Sequence, residues 1–284
     1  MRGFRLGVLL GILMVVGCGR TPEPNPLSLQ DVETRLKAAA SESTHLRLFS
    51  IGDVPLENAV APIWVVSFEP NPSAPAQHCV LLSGSVHGNE PAGAGALVTF
   101  VEDLQAHPDR YTDVAFDVIP VVNPWGFAHT NRRNARRRDL NRDFASFKCP
   151  ESRYVRDFAQ GRTYDLIVDF HEDRHAKGFY LYQLAQDDAS WSRRVIEAEK
   201  AAEYPVAQKA RMAFLKAHDG VIAAPLWSLR LTQRIRQLSM TNYFRLTQCD
   251  RVFLFETPRS LPWPDRLRMH RIALDSLLEA LTHD

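Results

Sequence analysis

Apolar residues along this chain fall in short continuous runs rather than in strict alternation, and segments with helical spacing separate many of them. HCVLLSG, AFDVIPVV, YDLIVDF, GFYLYQL and RVFLFET each read as a strand. Such a run places apolar side chains on both faces of its strand, which predicts a sheet covered on both sides. HLRLFSI and PIWVVSF add two strands separated by turn residues. Helices are predicted for SLQDVETRLKAAA, with Ser28 at the cap and acids behind it, for GAGALVTFVEDLQ and for SWSRRVIEAEKAAEY. Two more follow the Ser239 cap and Pro264. The pattern places the chain in the α/β class, where sites form outside the strand ends.

With 284 residues and 45% hydrophobic content, the chain is expected to build one core and one domain. Lysine plus arginine is 34 against 33 for aspartate plus glutamate, so no global charge draws the protein to nucleic acid. The first residues, MRGFRLGVLLGILMVVGCGR, combine two arginines, a short apolar stretch and small residues, as in a secretion signal. Val15-Val16-Gly17-Cys18 resembles the lipobox of bacterial lipoproteins, which implies lipid on Cys18 and membrane association. Gly19 after the cysteine favours, by the same resemblance, the periplasmic side of the outer membrane. The expected organisation is a signal and lipobox over 1–18, a proline-rich extended tether over 19–27, and one catalytic domain over 28–284. Cys79, Cys149 and Cys249 remain, so at least one is unpaired; their spacing fits buried apolar residues better than a thiol metal site.

The polar residues at the strand ends carry the chemistry. SVHGNEPAG follows HCVLLSG and places His87 and Glu90 in a turn, three residues apart. Alone, that pair is a common solvated turn. His171 ends YDLIVDFH, so a second imidazole emerges from a strand terminus in the same way. Two histidines and a carboxylate form the donor set of a catalytic zinc that keeps one position open for water. Asp169, two residues earlier on the same strand face, is expected either to orient an imidazole or to form a buried structural pair. Between the two segments runs NPWGFAHTNRRNARRRDLNRDF. Its arginines are interrupted by Asn, Ala and Asp-Leu-Asn and lack interleaved aromatics, which argues against nucleic-acid binding.

Together these residues resemble the M14 zinc carboxypeptidases and their deacylase-like relatives. HGNE is similar to the family's HxxE, NPWGF to NPDGF, RRNARRRDLNRDF to RxNxxxxDLNRNF, and VDFHED to the segment with the later histidine. FLFETP is similar to the segment carrying the catalytic glutamate. The resemblance runs from about Gln77 to Pro258 and implies a carboxypeptidase-like mixed β-sheet flanked by helices on both faces. It implies one Zn2+ on His87, Glu90 and His171, and Glu256 as general base and then general acid. Arg132 would polarise the scissile carbonyl, with Arg136 the competing candidate. Asn141 and Arg142 would grip the substrate's carboxylate. Trp125 stands where the family has aspartate and is expected to reshape the pocket. Tyr243 reads as core, Tyr180 and Tyr182 as strand residues with one face toward the pocket, and Asp139 as a loop anchor. Glu172 and Asp173 would favour a cationic substrate.

The expected activity is that of a zinc metallocarboxypeptidase of the cell envelope, cleaving an amide bond beside a free carboxylate in a cell-wall or other periplasmic peptide. The alternatives are an N-acyl amino acid deacylase of the succinylglutamate desuccinylase/aspartoacylase type and a catalytically silent peptide-binding protein.

Overall fold

The computed structural model describes residues 25–71, 75–186, 188–208, 211–212 and 215–283. The signal segment and Cys18 lie outside the described residues. The last part of the expected tether does not hang free: Leu27 is buried, and the Asn25 amide donates to the carbonyls of Gly88 and Phe127. Helix α1 (Leu29–Ser41) begins at a capping box, in which Ser28 and Asp31 each accept from the other's backbone N–H.

A hairpin of β1 (Leu46–Pro55) and β2 (Val60–Phe68) leads into β3 (His78–Gly84), α2 (Ala92–Ala106) and β4 (Val114–Ile119). The run AFDVIPVV ends its strand at Ile119, because Pro120 has no N–H for the ladder. Short α3 (Pro124–Ala128) and α4 (Pro150–Ala159) flank the arginine-rich loop. Strand β5 (Leu166–Asp173) carries the second histidine, followed by β6 (Tyr180–Leu184) and α5 (Ser190–Ala201). A two-residue pair, β7 (Arg211–Met212) and β8 (Leu215–Lys216), precedes β9 (Val221–Ala224), α6 (Leu226–Arg234) and α7 (Met240–Thr247). Strand β10 (Val252–Pro258) and α8 (Trp263–His283) complete the fold.

Eight strands form one mixed sheet in the order β1-β2-β4-β3-β5-β10-β6-β9. At its centre β3, β5 and β10 run parallel, while β6 lies antiparallel to β10. Both faces are covered, as the continuous apolar runs require. Val80, Leu82, Val168, Phe170, Phe253 and Phe255 pack on one side with Leu97 and Phe100 of α2 and Leu274 and Leu277 of α8. Leu81, Ile167 and Leu254 face the other way, toward Val155 of α4 and Met240 and Phe244 of α7. The two-residue period therefore carries Asp169, His171 and Glu256 to the second face, away from α2 and α8. Cys79, Cys149 and Cys249 are free thiols. Burial pushes the first two up to about 12 and the third to about 11, so they are inert at neutral pH. Among the described residues, no helix is long and apolar enough to cross a membrane.

Candidate metal centre and cleft

The chain crosses from β3 to β4 on one side and later returns to β5 on the other, so the crevice at the carboxyl ends of β3 and β5 is a topological switch point. Beyond β3 the backbone turns at Ser85, whose φ of 48° is left-handed, and Ser85 Oγ donates to the Glu90 carbonyl at 3.0 Å. Val122 N–H and Asn123 N–H donate back to Gly84 and Ser85, which fastens the turn to the exit of β4. Gly88 is obligatory here: a Cβ at that position would lie 1.9 Å from the backbone of Gly126. The HGNE turn and the NPWGF helix thus hold each other in place.

This scaffold brings His87, Glu90 and His171 to one point, with their ligand atoms all within 4.8 Å of one another. All three are buried. Glu90 faces both imidazoles: Oε1 lies 2.9 Å from His87 Nδ1, and Oε2 lies 2.7 Å from His171 Nδ1. Behind each ring stands a second carboxylate, Asp139 Oδ1 at 3.3 Å from His87 Nε2 and Asp169 Oδ2 at 2.7 Å from His171 Nε2. When Nε2–H donates outward to these acids, both Nδ1 lone pairs point inward at Glu90, an arrangement that calls for a cation between them. Without a cation, the same geometry draws protons onto the rings instead. Burial opposes the Glu90 charge, but the two imidazoles outweigh it and hold the carboxyl far below the usual carboxylate range. Burial likewise opposes a charged His171, yet Asp169 and Glu90 raise its pKa well above the ordinary value. The donor set fits a divalent metal ion.

Glu256 stands on β10 directly beside His171 in the parallel register and opposite Tyr180 in the antiparallel one. Its Oε2 is buried without a hydrogen-bond partner. Burial pushes its pKa well above the carboxylate range, His171 pulls it down, and Glu90 and Asp173 raise it again. The structure also separates the two competing arginines. Arg132 reaches the centre, with Nη1 at 3.2 Å from both His87 Nδ1 and Glu90 Oε1, and its Nε donates to Asp139. Arg136 is exposed, directs Nη1 toward the Lys148 carbonyl at 3.5 Å, and does not touch the three ligands.

Asn141 and Arg142 line an adjacent cavity of about 300 Å3. The Asn141 side-chain oxygen Oδ1 accepts the Met240 N–H, leaving the side-chain Nδ2 as the group for a ligand. Arg142 donates Nη1 to the backbone carbonyl of Asn141 and forms no salt bridge among the described residues. Leu184, Leu215, Ala224, Leu229 and Leu254 give the lining its mainly apolar character, with Tyr182 beside them and hydroxyl and amide groups of Ser228, Thr232 and Asn242 among them. Leu254 shares a strand face with Glu256, so the cavity begins next to the metal centre.

Several expectations need adjustment. Trp125 stacks on His129 at 4.1 Å, and His129 pairs with Glu57, so the indole is engaged outside the cleft. Glu172 presents no charge to a substrate. It is buried, paired with Arg266 of α8, and accepts the Ala92 N–H. Asp173 is occupied by the Tyr180 hydroxyl and the His175 N–H. Tyr243 packs on Phe144 and Phe147, as a core residue should. Asp139 does anchor its loop, accepting the Asn141 N–H, but it also orients His87. Burial works against its charge, while His87 and Arg132 hold it well below the usual range.

A family model for the succinylglutamate desuccinylase/aspartoacylase catalytic domain matches residues 76–229, more than half of the chain. The chain belongs to this family. The match takes in His87, Glu90, the arginine-rich loop and His171 and stops before Glu256. Carboxypeptidase SOL1 of Arabidopsis thaliana is 31% identical over 123 residues, which are 40% of this chain and 24% of that protein. The chain therefore spans about a quarter of that relative's length. Among solved structures, the fold matches a candidate metallopeptidase of Shewanella amazonensis with a TM-score of 0.74 and 22% identity, over 89% of this chain and 93% of the other. It also matches a metallo-carboxypeptidase of Pseudomonas aeruginosa in complex with (2-guanidinoethylmercapto)succinic acid, with a TM-score of 0.64 and 17% identity, over 88% and 68% of the two chains. The mixed sheet is that of the metallocarboxypeptidases.

Proposed function

We propose that the protein is a zinc-dependent metallocarboxypeptidase that releases a carboxy-terminal residue with an apolar side chain. The observation that carries this reading is the convergence of His87, Glu90 and His171 beside Glu256, at the edge of an apolar cavity whose mouth holds Arg142. When bound to the two imidazoles and Glu90, zinc supplies a Lewis acid and lowers the pKa of its water toward neutrality. The remaining chemistry belongs to the chain. Glu256 accepts the proton of the attacking water and returns it to the leaving amine. Its fixed position at the strand end and its unpartnered oxygen suit that exchange. Arg132 supplies a guanidinium to the carbonyl oxygen as negative charge develops there. Arg142 pairs its planar fork with the substrate carboxylate, and the Asn141 amide adds a donor. The inhibitor on the Pseudomonas enzyme carries a succinic acid, in keeping with a carboxylate-bearing ligand.

Family membership favours a second reading, deacylation of an N-acyl acidic amino acid. The cavity walls argue against it. A leucine or phenylalanine side chain buried there gains about 1.5–3 kcal/mol, whereas a side-chain carboxylate would meet no cation in the lining other than Arg142, which the terminal carboxylate takes. The apolar amino-terminal residues support a setting in the cell envelope, with anchorage through Cys18 and a periplasmic peptide as substrate. Assay of the zinc-loaded protein decides between the readings. Blocked peptides ending in leucine or phenylalanine should be cleaved about 100-fold more efficiently than those ending in aspartate or glutamate, and more than N-succinylglutamate. Preference for the acidic acyl amino acid would establish the deacylase instead.

A further inference from the structure

The arginine-rich loop sends one guanidinium to the metal centre and one to the apolar cavity; most of its charge does neither. Arg133, Arg136, Arg137 and Arg138 line a separate open basin of about 780 Å3, together with Lys148 and with Arg236 from the segment after α6. Arg142, Ile235 and Gln237 line both spaces, so the basin adjoins the proposed substrate cavity. Its two carboxylates are already engaged. Asp139 serves Arg132 and His87, and buried Asp143 accepts from the Lys148 and Cys149 N–H groups and the Ser152 hydroxyl. Among the described residues, Arg137, Arg138, Arg236 and Lys148 have no acidic partner. A chain with formal net charge +1 thus concentrates uncompensated positive charge beside its cleft.

The loop that displays these side chains is rigid. Asn134 is 1% exposed, and its side-chain oxygen accepts the N–H groups of Arg136 and Arg138. Its backbone exchanges hydrogen bonds with Arg137 and Arg138, and its amide donates to both oxygens of buried Glu151. Arg137 takes a left-handed φ of 58° within this turn. Like charges held side by side on a fixed turn repel one another, a disadvantage that an oxyanion relieves. Guanidinium forks bind carboxylate and phosphate groups bidentately.

We propose that this basin is a second anion subsite, taking a compact oxyanion, carboxylate or phosphate, carried by the substrate in addition to the carboxylate at Arg142. The basin would thereby select substrates with a further acidic group outside the apolar cavity. This assignment rests on the hydrolase reading for its substrate but not for its binding. The test uses the full chain and calorimetry at physiological salt, with inorganic phosphate and tricarballylate as probes. At least one probe should bind, and Arg138→Glu with Lys148→Glu should weaken it about tenfold or more, with Tm unchanged. Both side chains are exposed, and Arg138→Gln with Lys148→Gln, which should give a smaller loss, serves if the reversal variant fails to fold. In turnover, peptides carrying an added glutamate or phosphoserine upstream should show a KM about tenfold below glutamine and serine counterparts. That advantage should vanish in the variant, and whichever group gains more identifies the source. Absence of binding by both probes, or equal binding in wild type and variant, overturns the subsite. Probe binding that depends on Arg138 and Lys148 in a protein without peptidase activity would keep the subsite and overturn the hydrolase reading.

Discussion

Glu256→Gln should lower kcat by about 10²–10⁴-fold, the range over which positioned acid–base groups act, while the protein stays folded and retains its metal. The amide fills the same volume on β10 next to His171. What it loses is the capacity to take a proton from the attacking water and to deliver one to the departing amine. Stability should be unchanged or higher. Burial, with Glu90 and Asp173 nearby, already disfavours the Glu256 carboxylate, and the neutral amide avoids that cost altogether. Steady-state kinetics, a melting curve and metal analysis on one preparation separate these outcomes. A kcat within about threefold of wild type would remove Glu256 from the reaction.

Arg142→Ala should reduce kcat/KM by about 30- to 150-fold on substrates with a free terminal carboxylate, the equivalent of about 2–3 kcal/mol for a charged hydrogen bond. The effect should fall mainly on KM, because the carboxylate is held alike before and during bond cleavage. The corresponding peptide amides should be poor substrates of the wild-type protein and lose little further in the variant. Arg142 forms no salt bridge among the described residues and points one N–H at the Asn141 backbone carbonyl, and Asp139, whose charge it helps to hold, keeps Arg132 and His87, so the truncation strands no buried anion. Equal losses on acids and amides would assign Arg142 a structural role.

The central strands were readable because β3, β5 and β10 are buried on both faces and therefore spell continuous apolar runs. The polar residues that end them stood out against that background, which is why His87, Glu90, His171 and Glu256 could be named from sequence. Their meeting could not be derived from local pattern. It depends on β10 entering the sheet beside β5, about eighty residues later, in the register that pairs Glu256 with His171. Asp139 behind His87 and Arg266 on Glu172 are also long-range contacts with no local signature. The pattern does not announce helix α4, because four charged residues in PESRYVRDFA mask Val155 and Ala159, the apolar positions buried against the core. The cavity walls come from β6, β8, β9, α6 and β10, elements whose individual sequences say nothing of one another. The charge of Glu172 misleads for the complementary reason: a sequence shows a carboxylate but not the arginine that neutralises it.

Elemental analysis of the purified full chain, with its His171→Ala variant alongside, addresses the account most directly. The account predicts one tightly held zinc per chain, absent from the variant although the variant melts as a folded protein. A wild-type chain that retains no divalent ion after zinc addition and removal of the excess, with His87, Glu90 and His171 intact, would contradict it.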